Sequence, residues 1–191
     1  MTQSAPPYFD ETHDALRASM RRFVEKEILP HVDDWEEQNS FPRDLYKKAG
    51  AAGFFGLGYD EQYGGTPGDV FHRLVGSEEM MRSGSGGLIA SLNSLDIALP
   101  PIAKWGSKIL KDKVMPGVIS GEKIAALAIT EPGGGSDVAN IKTRAEKVTT
   151  AGGDFYKVNG SKTFITSGIR ADYYTVAVRT GGEGYGGISL L

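Results

Sequence analysis

The residues best placed to do chemistry lie in one stretch, Leu127-Ala-Ile-Thr130-Glu131-Pro132-Gly133-Gly134-Gly135-Ser136-Asp137. Thr130 closes a short apolar run over residues 123–130, and Pro132 turns the chain sharply. The three glycines carry no Cβ, so consecutive backbone N–H groups can point to one side and form a concave anion nest, with the Ser136 hydroxyl as a further donor. A pyrophosphate suits such a nest. The same residues also make a plain glycine-rich turn stabilised by Asp137, and composition alone favours that reading. The stretch is neither a dinucleotide fingerprint, since no helix follows and GxGxxG is incomplete, nor a P-loop, since no Gly-Lys-Ser/Thr ends it.

Other chemistry has thinner support. The chain has no cysteine, which excludes a thiolate nucleophile, a disulfide framework and an iron–sulfur ligand set. His13, His31 and His72 show no HxxxH or HExxH spacing, so no metal site is expected. No serine stands in a G-x-S-x-G elbow. Glu131, beside Pro132, reads as a structural carboxylate bonded to backbone amides, and Glu78 and Glu79 as solvent-facing or capping. With 21 Lys+Arg against 24 Asp+Glu the net charge is −3 and no basic stripe appears, so nucleic acid is not an expected partner. No apolar run approaches the roughly 18–20 residues that span a bilayer. The polar start at residues 1–5 lacks the pattern of a secretory signal, so Asn159-Gly160-Ser161 reads as a turn rather than a glycosylation site, and the expected compartment is cytoplasmic.

The elements that must position these residues fall into two kinds. From Asp10, a plausible N-cap, Leu16, Met20, Phe23, Val24 and Ile28 form one helical stripe that Pro30 ends. A short helix carries Val32 and Trp35, and another opens at Pro42 and stops at Gly50 or Gly53. Residues 53–68 read as a long loop. Asp69 starts a helix bearing Val70, Phe71, Leu74, Val75, Glu78 and Met81; a nearly all-apolar helix over 88–99 ends at Pro100-Pro101, and a last one covers 107–119. After Gly121 short strands take over, near 123–130, 142–148, 155–159, 162–166, 172–179 and 188–191, with Asn159-Gly160 as a two-residue hairpin turn. The expected fold is α+β: an all-α domain over 1–121, then an incomplete antiparallel β-barrel-like domain over 122–191. Leu191 ends an apolar run that an isolated sheet would leave as a bare edge, so a truncation is expected.

The segment AITEPGGGSD resembles the signature of the acyl-CoA dehydrogenase family, a pattern close to TEPxxGSD. Phe164-Ile165-Thr166-Ser167-Gly168, which begins 34 residues after Thr130, is similar to the aromatic-Ile-Thr segment that the family places against its flavin. The Asn159-Gly160-Ser161-Lys162 turn and the helical N-terminal part with Glu78-Glu79 fit as well, so the resemblance covers essentially the whole chain. It implies an FAD-dependent oxidoreductase of fatty-acid β-oxidation that introduces an α,β double bond into an acyl-CoA thioester. A carboxylate takes the α-proton while the β-hydride passes to N5 of FAD.

By position the resemblance puts Leu127, Ile129 and Thr130 on the flavin, with Thr130 near its pyrimidine edge, and Gly135 and Ser136 on the FAD pyrophosphate. Ser136 also falls near the CoA moiety. Phe164 would cover the ring face, next to Ile165, with Thr166 near N5; several relatives carry tryptophan where Phe164 stands, and the indole N–H is lost. Leu88, Ser91, Leu92 and Leu95 are implied walls of the acyl-chain pocket, although ordinary helix-core packing explains each equally well. The family's catalytic base is a glutamate on a C-terminal helical domain, beyond Leu191, so residues 1–191 alone are expected to be inactive. Electron-transfer flavoprotein is the implied acceptor, no membrane is involved, and a homo-oligomer, tetramer or dimer, is the implied assembly. An acyl-CoA oxidase, a flavin monooxygenase on the same scaffold, and a non-catalytic partner subunit remain as alternatives.

Overall fold

The computed structural model describes residues 8–191; the polar start at 1–5 lies outside them. They form two units, one running to Asn93 and taking in Gly106–Lys123, the other joining Ser94–Trp105 to Ile124–Leu191.

In the helical unit, α1 (Glu11–Phe23) starts where the Asp10 carboxylate accepts the Thr12 and His13 amides. Met20, Phe23, Val24 and Ile28 of the expected stripe are buried. The chain widens into a π turn over Val24–Ile28, closed by Leu29 N–H on the Val24 carbonyl at 2.9 Å. Next come α2 (Val32–Glu37) and α3 (Asp44–Ala51). Gly53, at φ +82°, makes the left-handed stop. Gly50 stays helical and is required for another reason: a Cβ there has no room beside the Ser120 carbonyl. The expected loop over 53–68 contains two 3-10 turns and buries Phe54, Phe55, Tyr59 and Tyr63.

α4 (Val70–Met81) begins at Asp69 as expected, but it turns a different face inward: Val75, Gly76, Glu79 and Met80 are buried, while Val70, Leu74 and Met81 are exposed. The buried face includes a carboxylate. Glu79, expected to face solvent or cap, is 2% exposed. It accepts Arg17 Nη1 at 3.1 Å, Arg21 Nη2 at 2.7 Å and Arg21 Nε at 2.9 Å, which compensates the desolvation of its charge. Glu78, 48% exposed and 2.8 Å from Arg17 Nη1, does face outward.

The apolar run 88–99 is two helices, α5 (Gly86–Leu92) and α6 (Leu95–Trp105), and α6 continues through Pro100 and Pro101. Proline's fixed φ is helical, so the prolines remove ladder hydrogen bonds without forcing the chain out of the helix. α7 (Lys108–Ile119) starts at Ser107, whose hydroxyl accepts Leu110 N–H at 3.2 Å, and contains Pro116.

The second unit packs α6 on a sheet, with the Thr175 hydroxyl donating to the Ala98 carbonyl at 2.9 Å. Its strands are β1 (Ala125–Ala128), β2 (Arg144–Thr150), β3 (Gly153–Asn159), β4 (Tyr173–Arg179) and β5 (Ile188–Leu190). β4 runs parallel to β1, from Ala125↔Tyr173 to Ala128↔Val176, touches β2 in parallel at Arg144↔Arg179, and pairs antiparallel with β5. The α+β architecture is the expected one. The sheet is open, as an incomplete barrel-like domain implies, but the parallel pairing of β4 with β1 and β2 makes it mixed, which corrects the purely antiparallel expectation.

The correction traces to the turns. β3 folds back on β2 through Ala151-Gly152, with Thr150 opposite Gly153, whereas Asn159-Gly160 makes no hairpin and 162–166 forms no strand. At Gly160, φ +153°, the backbone passes so near Thr143 that a Cβ does not fit, and the chain runs on past the hairpin. No helix among the described residues is long and apolar enough to cross a membrane.

Candidate functional site

Strand β1 delivers Leu127, Ile129 and Thr130, all half-buried, to its C-terminal end. There the chain turns: Glu131 N–H donates to the Gly134 carbonyl at 2.9 Å, and Gly134 N–H returns to the Glu131 carbonyl at 3.1 Å. The Gly134 amide is therefore spent inside the turn instead of joining a three-amide nest. Gly135 and Ser136 follow, exposed, with their amides outside the turn's hydrogen bonds. Gly135 lies against Thr130, since a Cβ there would stand 3.3 Å from Thr130 Cγ2. These open amides and the Ser136 hydroxyl are a donor set that fits a phosphate group. Beside the turn lies a cavity of about 300 Å³ whose lining includes Pro132, Gly134, Asp137, Lys142 and Gly160.

The second motif docks on the first. Thr163 N–H donates to the Thr130 carbonyl at 2.9 Å, and Lys162 Nζ donates to the Ile129 carbonyl at 2.8 Å and to Glu131 Oε1 at 2.9 Å. Phe164 then adopts φ +55° and Ser167 φ +60°, in a tight turn closed by Gly168 N–H on the Ile165 carbonyl at 2.8 Å. A left-handed aromatic residue costs about 1–3 kcal/mol and persists only where the surrounding structure holds it. Here the strained backbone presents a ring that is 92% exposed. Ile165 and Thr166 are half-buried beside it.

Leu127, Ile129, Thr130, Gly135, Ser136, Phe164, Ile165 and Thr166 thus all belong to one unit, and hydrogen bonds join the two segments that carry most of them. The four acyl-wall candidates are placed differently. Leu88 and Leu92 are core residues of the helical unit and Leu95 of the other, while Ser91 is half-buried and its carbonyl accepts the Tyr46 hydroxyl at 3.0 Å.

Glu131 is the electrostatic centre of the turn. Burial works to raise its pKa, but hydrogen bonds from Thr143, the Lys142 amide and the Lys162 ammonium outweigh it and hold the pKa down to about 2. It is a structural carboxylate whose oxygens are taken up by three donors, and the low pKa makes it a weak base.

Sequence spacing missed one cluster. In the helical unit the fold gathers His13, Asp69 and His72. Asp69 Oδ1 lies 3.2 Å from His13 Nε2 and 2.9 Å from His72 Nδ1, Asp10 Oδ1 lies 2.8 Å from His13 Nδ1, and the two rings lie against each other, tilted by 31°, with centroids 3.8 Å apart. His13 Nε2 and His72 Nδ1 converge on the one Asp69 oxygen, and the three residues offer ligand atoms within 4.8 Å of one another. Two helix N-termini also point at the cluster, and their dipoles disfavour a cation. The arrangement is a double helix cap. Its signal was present in the repeated Asp-x-x-His at 10–13 and 69–72, a histidine version of the capping box.

A helical unit followed by an open mixed sheet, with an exposed glycine turn clamped to a strained aromatic turn, is the fold of the acyl-CoA dehydrogenase type. Residues 10–122 match the N-terminal domain of acyl-CoA dehydrogenases and residues 126–191 their middle domain. The chain belongs to the acyl-CoA dehydrogenase family. It is 38% identical to the mouse mitochondrial long-chain specific acyl-CoA dehydrogenase over 186 residues, covering 96% of this chain and 42% of that protein. The crystal structure of acyl-CoA dehydrogenase from Geobacillus kaustophilus superposes with a TM-score of 0.88 at 43% identity, over 98% of this chain and 49% of that one. That of Bacillus anthracis acyl-CoA dehydrogenase complexed with FAD gives 0.85 at 32% identity, over 98% of this chain and 31% of that one. The chain therefore spans less than half the length of these relatives.

Proposed function

We propose that this chain supplies the cofactor-holding part of an FAD-dependent dehydrogenase acting on acyl-CoA thioesters. The observation that carries the reading is the clamp of the 162–168 segment on residues 129–131, which sets the open amides of Gly135 and Ser136 and the displayed ring of Phe164 around the end of one strand. When bound, FAD supplies the acceptor for the hydride lost from the β-carbon as the α-proton goes to a carboxylate base.

The chain's own residues hold and orient. Gly135 and Ser136 donate to the diphosphate, Thr130 supplies a hydroxyl and backbone at the pyrimidine edge, and Phe164 covers the ring, with Ile165 and Thr166 beside it. Thr166 would donate near N5 of the bound flavin. The base is proposed to come from outside residues 1–191, as are contacts that complete a homo-oligomer, and electron-transfer flavoprotein is the proposed acceptor. A cytoplasmic location is part of the same reading. The acyl-chain role of Leu88, Ser91, Leu92 and Leu95 has weaker support, because the three leucines are packed with almost no free surface.

The test uses the intact protein purified in the presence of FAD. Retained flavin absorption that bleaches on anaerobic addition of an acyl-CoA is the expected result, and a colourless protein that takes up no FAD overturns the reading. Oxygen consumption in step with turnover points to an oxidase or monooxygenase instead. Bound flavin that no acyl-CoA bleaches points to a non-catalytic subunit.

A further inference from the structure

The side chains of Lys162 and Glu131 are each 10% exposed and stand 2.9 Å apart. Burying an ion pair incurs a desolvation cost that apolar packing avoids, so the pair is poor evidence for stability and needs another reason to be there. Its connections supply one. Lys162 Nζ donates to the Ile129 carbonyl and to the Glu131 carboxylate, while the next amide, Thr163 N–H, donates to the Thr130 carbonyl between them. Three successive residues are gripped by two. Glu131 closes the glycine turn through Gly134 and also accepts Lys142 N–H at 2.6 Å and Thr143 N–H at 2.9 Å. Through its backbone and its carboxylate together, Glu131 ties the glycine turn, the approach to β2 and the segment leading into Phe164. Immediately past the grip the backbone takes its left-handed step at Phe164.

We propose that Lys162 and Glu131 are positioning residues for the cofactor site: the ion pair fixes the offset between the Gly135–Ser136 amides and the turn bearing Phe164 and Thr166, so that one ligand combining a diphosphate with a planar ring meets both. This rests on the flavin reading above. Neither side chain meets the reacting atoms; each acts through the backbone it holds. Removing the ammonium leaves Glu131 with a buried charge lacking its cation and frees the strained turn to relax.

In the full protein, Lys162→Met is expected to weaken FAD binding by about tenfold or more, since a charge-assisted hydrogen bond that orders the site is lost. It is also expected to shift the flavin absorption bands and the reduction potential of the bound flavin. Lys162→Arg, which keeps the charge and the reach, recovers affinity and spectrum. A folded Lys162→Met protein with lower thermal stability but unchanged FAD affinity, spectrum and potential makes the pair a merely stabilising one and overturns the proposal. Should Lys162→Met fail to fold, Lys162→Gln, which keeps a donor for the Ile129 carbonyl without the charge, carries the same comparison. A wild-type protein that binds no FAD removes the flavin reading and this proposal together. Wild type and Lys162→Met binding FAD equally well removes this proposal alone.

Discussion

The rings of His13 and His72 lie against each other with centroids 3.8 Å apart and planes 31° inclined, each at the third position of its own helix and each within hydrogen-bond distance of the same Asp69 oxygen. The groups facing His13 are Asp10 on its own element and Asp69 and His72 on α4, with the edges of Phe9 and Phe71 closing the sides. Burial opposes its charge, but hydrogen bonds to Asp69 and Asp10 outweigh that and raise its pKa above 6.5. A raised folded-state pKa contributes stability that is complete below 6.5 and is lost as pH rises through the folded value. His13→Gln keeps a capping side chain without the titration. The variant is expected to be less stable than wild type near pH 6 and to close much of that gap near pH 9, in denaturant melts at both values. A gap that does not change with pH refutes the assignment.

Glu79 offers a test of how α1 and α4 are joined. Glu79→Ala leaves Arg17 and Arg21 facing a site shaped for an anion, and a loss of roughly 3 kcal/mol is expected, the low end for a broken buried pair because the arginines can rehydrate. Glu79→Gln, whose amide oxygen still accepts, loses less. Urea midpoints of the two variants check the order, and equal losses would mean that packing, not charge, holds the helices together.

The parts legible in the sequence are those fixed by local chemistry. Asp10 and Asp69 start helices because a carboxylate satisfies free amides wherever it precedes an apolar stripe, and the two motifs around Thr130 and Phe164 depend on residue types within a few positions. What was not legible depends on distant partners. The buried Glu79 carboxylate is hydrogen-bonded by Arg17 and Arg21, 62 and 58 residues away. The Asn159-Gly160 pair has the composition of a hairpin turn, yet contact with Thr143 decides its conformation and Ala151-Gly152 makes the hairpin instead. The parallel pairing of β4 with β1 leaves no local trace in either strand.

Gly160 and Gly133 separate a required glycine from a permitted one. At Gly160, φ +153°, a Cβ would collide with both the side chain and the Cα of Thr143, so Gly160→Ala is expected to cost about 2 kcal/mol or more. Thr143→Ala should not rescue it, because the Cα obstruction stays. At Gly133 a Cβ meets nothing within 4 Å, so Gly133→Ala is expected to stay within about 0.5 kcal/mol of wild type. Chemical denaturation of the three variants checks the contrast. Equal effects at the two glycines would show that the close approach of residues 143 and 160 is not a constraint on the fold.

Glu131 makes the acid limit of the sheet unit predictable. Its pKa lies at about 2 in the fold against an ordinary 4.5, because hydrogen bonds from Thr143, Lys142 and Lys162 overcome the effect of burial. A depressed folded-state pKa contributes stability that is complete above 4.5 and drains as pH falls through that interval toward about 2. Glu131→Gln cannot lose what it lacks: it should be less stable than wild type at neutral pH, by about 3 kcal/mol if Lys162 stays buried without its anion, and flatter across the acid interval. Asp10, Asp69 and Glu79 are depressed as well, so wild type alone mixes several titrations. The difference between the two stability curves isolates Glu131. It should shrink steadily from above pH 4.5 toward pH 2, and curves that run parallel through that interval would show that the carboxylate is not held ionised by the groups around it.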